Sequence, residues 1–198
     1  MDEKSWKGMD HQPTRIAVLS SVSGGGKNTV LHRLLERNDR LYAAVTATSR
    51  RPRAGEVDGI HYHFLSPEEF RSRIEKGEFL EYAEVHGNLY GVPISEVDRA
   101  SHAGKTLILN IDVQGMTTLK KRYGSRVISI FLLPPDEKTW ESRLRSRGTE
   151  SEEEVQLRLR IGREELARAG EFDHQVINDD LDQCVQRIEE ILREERAI

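Results

Sequence analysis

The chain has 198 residues, 36% of them apolar and 32% charged, with 30 basic against 34 acidic side chains and a net charge of −4. That length suits one domain with a substantial core, and the charge balance excludes a general attraction to nucleic acid or to an anionic membrane, so any basic site is local. A single cysteine, Cys184, excludes an internal disulfide framework and a cysteine-built zinc cage and reads as a half-buried helix residue; with no apolar run of membrane-spanning length, the chain reads as cytoplasmic, without nucleic-acid or membrane partners.

Residues 1–14 lack periodicity and, with Gly8, Met9 and Pro13, read as a disordered lead-in. Arg15-Ile16-Ala17-Val18-Leu19 is a buried-type strand, and Val30, Leu31, Leu34 and Leu35 mark a helix to about Arg37, ended by Asn38-Asp39. Between them lies a glycine-rich turn whose N–H groups converge with the helix's unpaired first N–H groups, where an anion fits. The stretch Ser21, Val22, Ser23, Gly24, Gly25, Gly26, Lys27, Asn28 and Thr29 therefore reads as a P-loop, with Lys27 reaching the outer phosphates and Thr29 within hydroxyl range. It departs from G-x-x-x-x-G-K-[ST] twice: Ser21 stands at the first glycine and Asn28 at the hydroxyl after the lysine.

Residues 41–48 read as one strand. The loop after it carries Arg50, Arg51 and Arg53 before Gly55 and Gly59, either a second phosphate site suited to bidentate guanidinium contacts or a solvated basic loop. A short strand at 62–65 precedes Ser66-Pro67-Glu68-Glu69, a capping box opening a helix that stops at Gly77. His61 and His63 share a strand face, but no third ligand has suitable spacing, so they read as surface histidines. Residues 79–85 form a strand turned by His86-Gly87-Asn88 into 89–92, and Glu81 inside it is either edge-exposed or reading a ligand.

A helix over 95–103 closes at Gly104, and the apolar run 106–112 is a central parallel strand whose polar end directs Asn110 and Asp112 toward the P-loop crevice. Another buried strand, 127–133, stops at Pro134-Pro135. The helix from about Asp136 carries Arg143 and Arg147 on one face; Gly148-Thr149 breaks it, and Ser151-Glu152-Glu153-Glu154 caps a long helix holding Arg158 and running to about Ala169. Arginines on both sides of a hinge suit either a phosphate-closing lid or an ordinary salt-bridged helix pair. A last strand, 172–177, leads through Asn178-Asp179-Asp180 into a helix over 181–196 with Val185, Ile188 and Ile191 inward. The alternation implies a parallel sheet covered on both faces.

From about Arg15 to Arg196 the chain resembles the guanylate kinases, P-loop enzymes that phosphorylate GMP from ATP. The resemblance is carried by Thr48-Ser49-Arg50-Arg51-Pro52-Arg53-Ala54-Gly55-Glu56-Val57-Asp58-Gly59, by Phe79-Leu80-Glu81-Tyr82-Ala83-Glu84-Val85 with Gly87-Asn88-Leu89-Tyr90-Gly91, by Ile111-Asp112-Val113-Gln114-Gly115, by residues 143–150, and by Val176-Ile177-Asn178-Asp179-Asp180. It implies an α/β P-loop NTPase fold with a parallel central sheet, an inserted GMP-binding lobe at about 50–95 and an arginine-rich lid at about 146–158. It implies further that Arg50, Arg53, Tyr62 and Tyr90 hold the GMP phosphate, that Thr46, Glu81 and Asp112 address the guanine, that Lys27 and the P-loop hold ATP with Asn178 near the adenine, and that Lys27, Arg50, Arg143, Arg147 and Arg158 are the catalytic cations. Mg2+ would bridge the ATP phosphates, with no protein ligand assigned, and no oligomeric state follows. Val92 departs from the Ser or Thr usual in the family, which contacts the base. A guanylate-kinase-like interaction module without turnover, or a kinase of this fold with another acceptor, are the alternatives.

Overall fold

Six consecutive buried residues form β1 (Ile16–Ser21), which lies at the middle of a five-stranded, wholly parallel sheet. The computed structural model describes residues 15–53, 55–85, 87–146 and 152–198; the expected lead-in at 1–14, Arg147 and the hinge at Gly148-Thr149 lie outside them. The sheet order is β2 (Leu41–Ala43), β7 (Thr106–Asn110), β1, β8 (Val127–Leu133) and β9 (His174–Ile177). Its strands read as continuous apolar runs because both faces are covered, and the strand period of two deals alternate residues to two cores. Ile16, Val18, Leu107 and Leu109 face one, packed by α3 (Ile94–His102), α4 (Val113–Tyr123), α5 (Glu137–Arg145) and α6 (Glu152–Ala167); Ala17, Leu19 and Ile108 face the other, packed by α1 (Lys27–Arg37) and α7 (Leu181–Glu194).

Three expectations change. Residues 41–48 are not one strand: β2 belongs to the central sheet, whereas β3 (Ala47–Thr48) opens a second, four-stranded sheet of order β4 (His63–Phe64), β3, β6 (Asn88–Pro93) and β5 (Phe79–Val85). The chain leaves one sheet for the other within residues 44–46, where the buried Glu96 carboxylate accepts the Val45 N–H at 2.8 Å. The apolar run at 106–112 is strand only to Asn110, because Asp112 caps α4 by accepting the Gly115 N–H at 2.8 Å; α4 itself is absent from the sequence pattern above. Cys184 is fully buried rather than half-buried, and burial raises its thiol to about 11.

The second sheet has its own small core, with Phe70 of α2 (Pro67–Glu75) stacked on Phe79 at a centroid distance of 4.4 Å. Ser66 caps α2 by accepting the Glu69 N–H. His61 is exposed, its Nδ1 accepting the Val57 N–H, and no group of three His, Cys, Asp or Glu among the described residues is arranged to hold a metal ion.

Candidate active site

The carboxyl ends of β1, β7 and β8 meet where the sheet order reverses direction about β1, the crevice where open α/β sheets take ligands. There the chain after β1 turns into α1 through Gly26, whose φ of 85° is left-handed backbone that a side chain would strain. Lys27 is the first residue of α1, and its Nζ donates to the Ser21 carbonyl at 2.8 Å. Burial lowers the Lys27 pKa, against the pull of Glu165 and Asp112, the nearby carboxylates. Asn28 and Thr29 follow, both exposed.

The remaining P-loop contacts come from distant chain. Asn178 Nδ2 donates to the Gly25 carbonyl at 2.8 Å, and Arg143 Nη1 donates to the Asn178 carbonyl at 2.9 Å. Arg158 Nη1 donates to Ser23 Oγ at 3.0 Å. Trp140 Nε1 donates to the Ser23 carbonyl at 2.8 Å, so α5 and α6 both grip the loop. Thus Lys27, Asn178, Arg143 and Arg158 gather at one place.

A second cluster forms on the smaller sheet. The Arg50 guanidinium makes a bidentate pair with Glu56 (3.0 and 2.9 Å) and lies over the Tyr62 ring at 5.4 Å; Tyr62 meets Tyr90 edge-on at 6.2 Å. The Arg50 guanidinium holds the Glu56 carboxyl at about 2. Arg53 is exposed, its guanidinium within electrostatic reach of Glu56 and Tyr62. Thr46 is half-buried before β3, with its carbonyl accepting the His63 N–H.

Glu81, on β5 of the smaller sheet, is only 5% exposed. No described residue donates a hydrogen bond to it, a Cβ on Gly115 would come within 2.8 Å of its Oε2, and burial with the Asp112 charge raises its pKa to about 8. Asp112 is therefore within electrostatic reach of Glu81 on one side and Lys27 on the other.

Comparison with known proteins settles the family. The guanylate kinase family model matches residues 13–195. The chain belongs to the guanylate kinase family. It is 43% identical to a guanylate kinase of Synechocystis over 98% of both chains, and 45% identical to one of Porphyromonas gingivalis over 88% of this chain and 94% of that one. The crystal structure of guanylate kinase from Anaplasma phagocytophilum superposes with a TM-score of 0.75, at 33% identity, over 93% of this chain and 88% of the other.

Beside these guanylate kinases, three residues enter the site that the motifs did not single out. Glu165 sits seven residues after Arg158, two turns on along the same face of α6, and its buried Oε2 has no hydrogen-bond partner; burial raises its pKa while Lys27 pulls it down. Glu56 and Trp140 are the others. An acid six residues after Arg50 in a basic loop is the signal for Glu56; Trp140, an aromatic on the apolar face of α5, reads as core from sequence.

Ser21, the departure at the first P-loop position, has a structural partner in Gly25. Its side chain is buried beneath the loop with no partner for Oγ, and a Cβ on Gly25 would overlap that oxygen outright. Gly25→Ala is therefore expected to cost about 1–3 kcal/mol by overpacking, a melting-point drop of roughly 2–12 °C for a domain this size, and Ser21→Gly in the same chain should recover most of it. Thermal melts of the two single variants and the double variant check this; a Gly25→Ala melt equal to wild type would contradict it.

Mg2+ does not fit a protein-held site at the metal corner of this P-loop. The position after Lys27 offers an amide in place of a hydroxyl, and no group of three His, Cys, Asp or Glu among the described residues is arranged to hold a metal ion.

Proposed function

We propose that the protein transfers the γ-phosphoryl group of ATP to GMP, giving ADP and GDP. What supports this reading is the family match over residues 13–195 beside two separate cationic clusters, one at the P-loop and one around Arg50, with Asp112 within electrostatic reach of both Lys27 and Glu81. An interaction module with one ligand needs only one such cluster.

The bond formed joins a GMP phosphate oxygen to the γ-phosphorus; the bond broken is that from the γ-phosphorus to the oxygen it shares with the β-phosphate, whose electron pair leaves with ADP. The attacking oxygen is anionic at neutral pH, so no general base is required. Catalysis then rests on alignment and on cations placed around the moving group. Lys27 meets the donor phosphates, the Arg50, Tyr62 and Tyr90 cluster takes the acceptor phosphate, and Arg143 and Arg158 meet the transferring group, a role that the family resemblance also gives Arg147, which lies outside the described residues. Glu56 holds Arg50 in place before GMP arrives, so little side-chain entropy is lost on binding. Mg2+ carried on the ATP phosphates would neutralise their charge. No helix among the described residues is long and apolar enough to cross a membrane.

Incubation with γ-labelled ATP and GMP tests this: label should pass to GDP, and binding of both nucleotides without transfer would overturn it.

Val92 refines the acceptor side. It pairs directly with Glu81 across β5 and β6 and is fully buried, so a hydroxyl placed there would lie beside the carboxylate. Val92→Thr should lower KM for GMP by roughly 2- to 13-fold, the worth of one neutral hydrogen bond of about 0.5–1.5 kcal/mol, with kcat little changed. Steady-state kinetics check it; an unchanged or higher KM would remove Val92 from the base pocket.

A further inference from the structure

P-loop nucleotide enzymes hold Mg2+ from two places: a Ser or Thr hydroxyl directly after the P-loop lysine, and an Asp at the end of a neighbouring strand. In this chain the first is Asn28, the second residue of α1, and the last residue of β7 is Asn110. β7 runs parallel to β1 with Leu19 opposite Asn110, which sets that residue beside the start of the P-loop. The two asparagines are joined: Asn110 Nδ2 donates to Asn28 Oδ1 at 2.7 Å.

That bond changes what the corner offers a ligand. It engages the only side-chain oxygen of Asn28, leaving that residue's amide N–H groups as donors, and neither side chain carries charge. Mg2+ favours anionic oxygens and sheds its waters reluctantly, so a pair of neutral amides, one of its two carbonyl oxygens already hydrogen-bonded, is a poor ligand set. Of the neighbouring carboxylates, Asp112 spends its Oδ1 on capping α4, and Glu165 lies within electrostatic reach of Lys27. Thr29 is one residue further on, about 100° around the helix from Asn28, and does not replace the hydroxyl. A phosphate oxygen, by contrast, is well served by amide N–H donors at a helix N-terminus.

We propose that Asn28 and Asn110 form an amide clasp in place of the protein's metal ligands, so that the P-loop binds the triphosphate of ATP nearly as well without Mg2+ as with it, the Asn28 N–H groups meeting phosphate oxygens directly. The clasp itself adds no charge to this corner. An Asp at position 110 would instead set a negative charge beside the phosphates, tolerable only when a cation lies between them. The inference rests on the reading of the P-loop as the ATP site, and is independent of which acceptor is phosphorylated.

Calorimetric titration of the full chain with ATP, once in excess EDTA and once in excess Mg2+, reads the proposal without any turnover. Wild type should bind ATP with affinities within about threefold of each other. Asn110→Asp should weaken metal-free binding by roughly tenfold, with Mg2+ restoring it, and Asn28→Ser with Asn110→Asp should show the largest Mg2+ dependence. A wild-type affinity that falls more than about tenfold in EDTA would overturn the clasp. So would an Asn110→Asp variant whose metal-free affinity equals wild type. Absence of ATP binding in both conditions would overturn the donor-site reading as well, which separates the two failures. The wild-type comparison needs no variant to fold.

Discussion

Lys27→Ala is expected to lower the rate of GMP-dependent ADP formation by a factor on the order of hundreds or more, the scale for losing a charge contact made in the transition state. The Lys27 ammonium is enclosed at the head of α1 and held toward the P-loop by the Ser21 carbonyl, so it is positioned before the nucleotide arrives. Because burial already disfavours its charged form, its removal relieves a desolvation cost as well as breaking one hydrogen bond. The melting point should therefore move little while kcat falls. A variant that keeps wild-type kcat would remove Lys27 from the chemistry, and steady-state kinetics beside a thermal melt separate the two effects.

Glu81 carries the second large effect. A carboxylate accepts from the guanine N1 and N2 hydrogens, whereas adenine lacks that donor pair and would leave it buried and unpaired. Glu81→Ala should erode the preference for GMP over AMP by on the order of 10- to 100-fold, as expected for hydrogen bonds to a charged group. The raised pKa adds a pH dependence. Between its ordinary 4.5 and about 8, the folded protein keeps a proton on Glu81 that the unfolded chain has released, so this group favours the folded state most below pH 4.5 and ceases to do so above about pH 8. GMP needs the carboxylate, so its binding expels that proton, and affinity should rise with pH until about 8. KM for GMP should fall roughly tenfold from about pH 7 to about pH 9 in wild type, and the slope should vanish in Glu81→Gln. A flat wild-type profile, or full GMP selectivity in Glu81→Ala, would show that other groups read the base.

The fold was legible where one local cause sets the outcome. β1, β7 and β8 are buried on both faces and so read as unbroken apolar runs, and Ser66 announces α2 because a cap is a short-range event. Residues 41–48 misled because the apolar pattern continues while the chain changes sheets, a switch anchored by the remote Glu96. α4 was hidden by Gly115 and a Thr-Thr pair in its sequence, residues of low helix propensity, although its Asp112 cap and the spacing of Val113, Met116 and Leu119 mark it in retrospect. At the site, glycine and arginine motifs located the two clusters. What sequence could not supply were contacts between distant segments: Glu165 beside Lys27, Trp140 on Ser23, and the burial that isolates Glu81.

Membership of the guanylate kinase family calls for phosphoryl transfer from ATP to a guanine acceptor. A coupled assay of ADP release with ATP and Mg2+, run across GMP, dGMP, AMP, CMP and UMP, tests it most directly. The guanine nucleotides should drive ADP formation and the others should scarcely do so. Equal release with AMP, or no release with any acceptor while GMP binds, would contradict it.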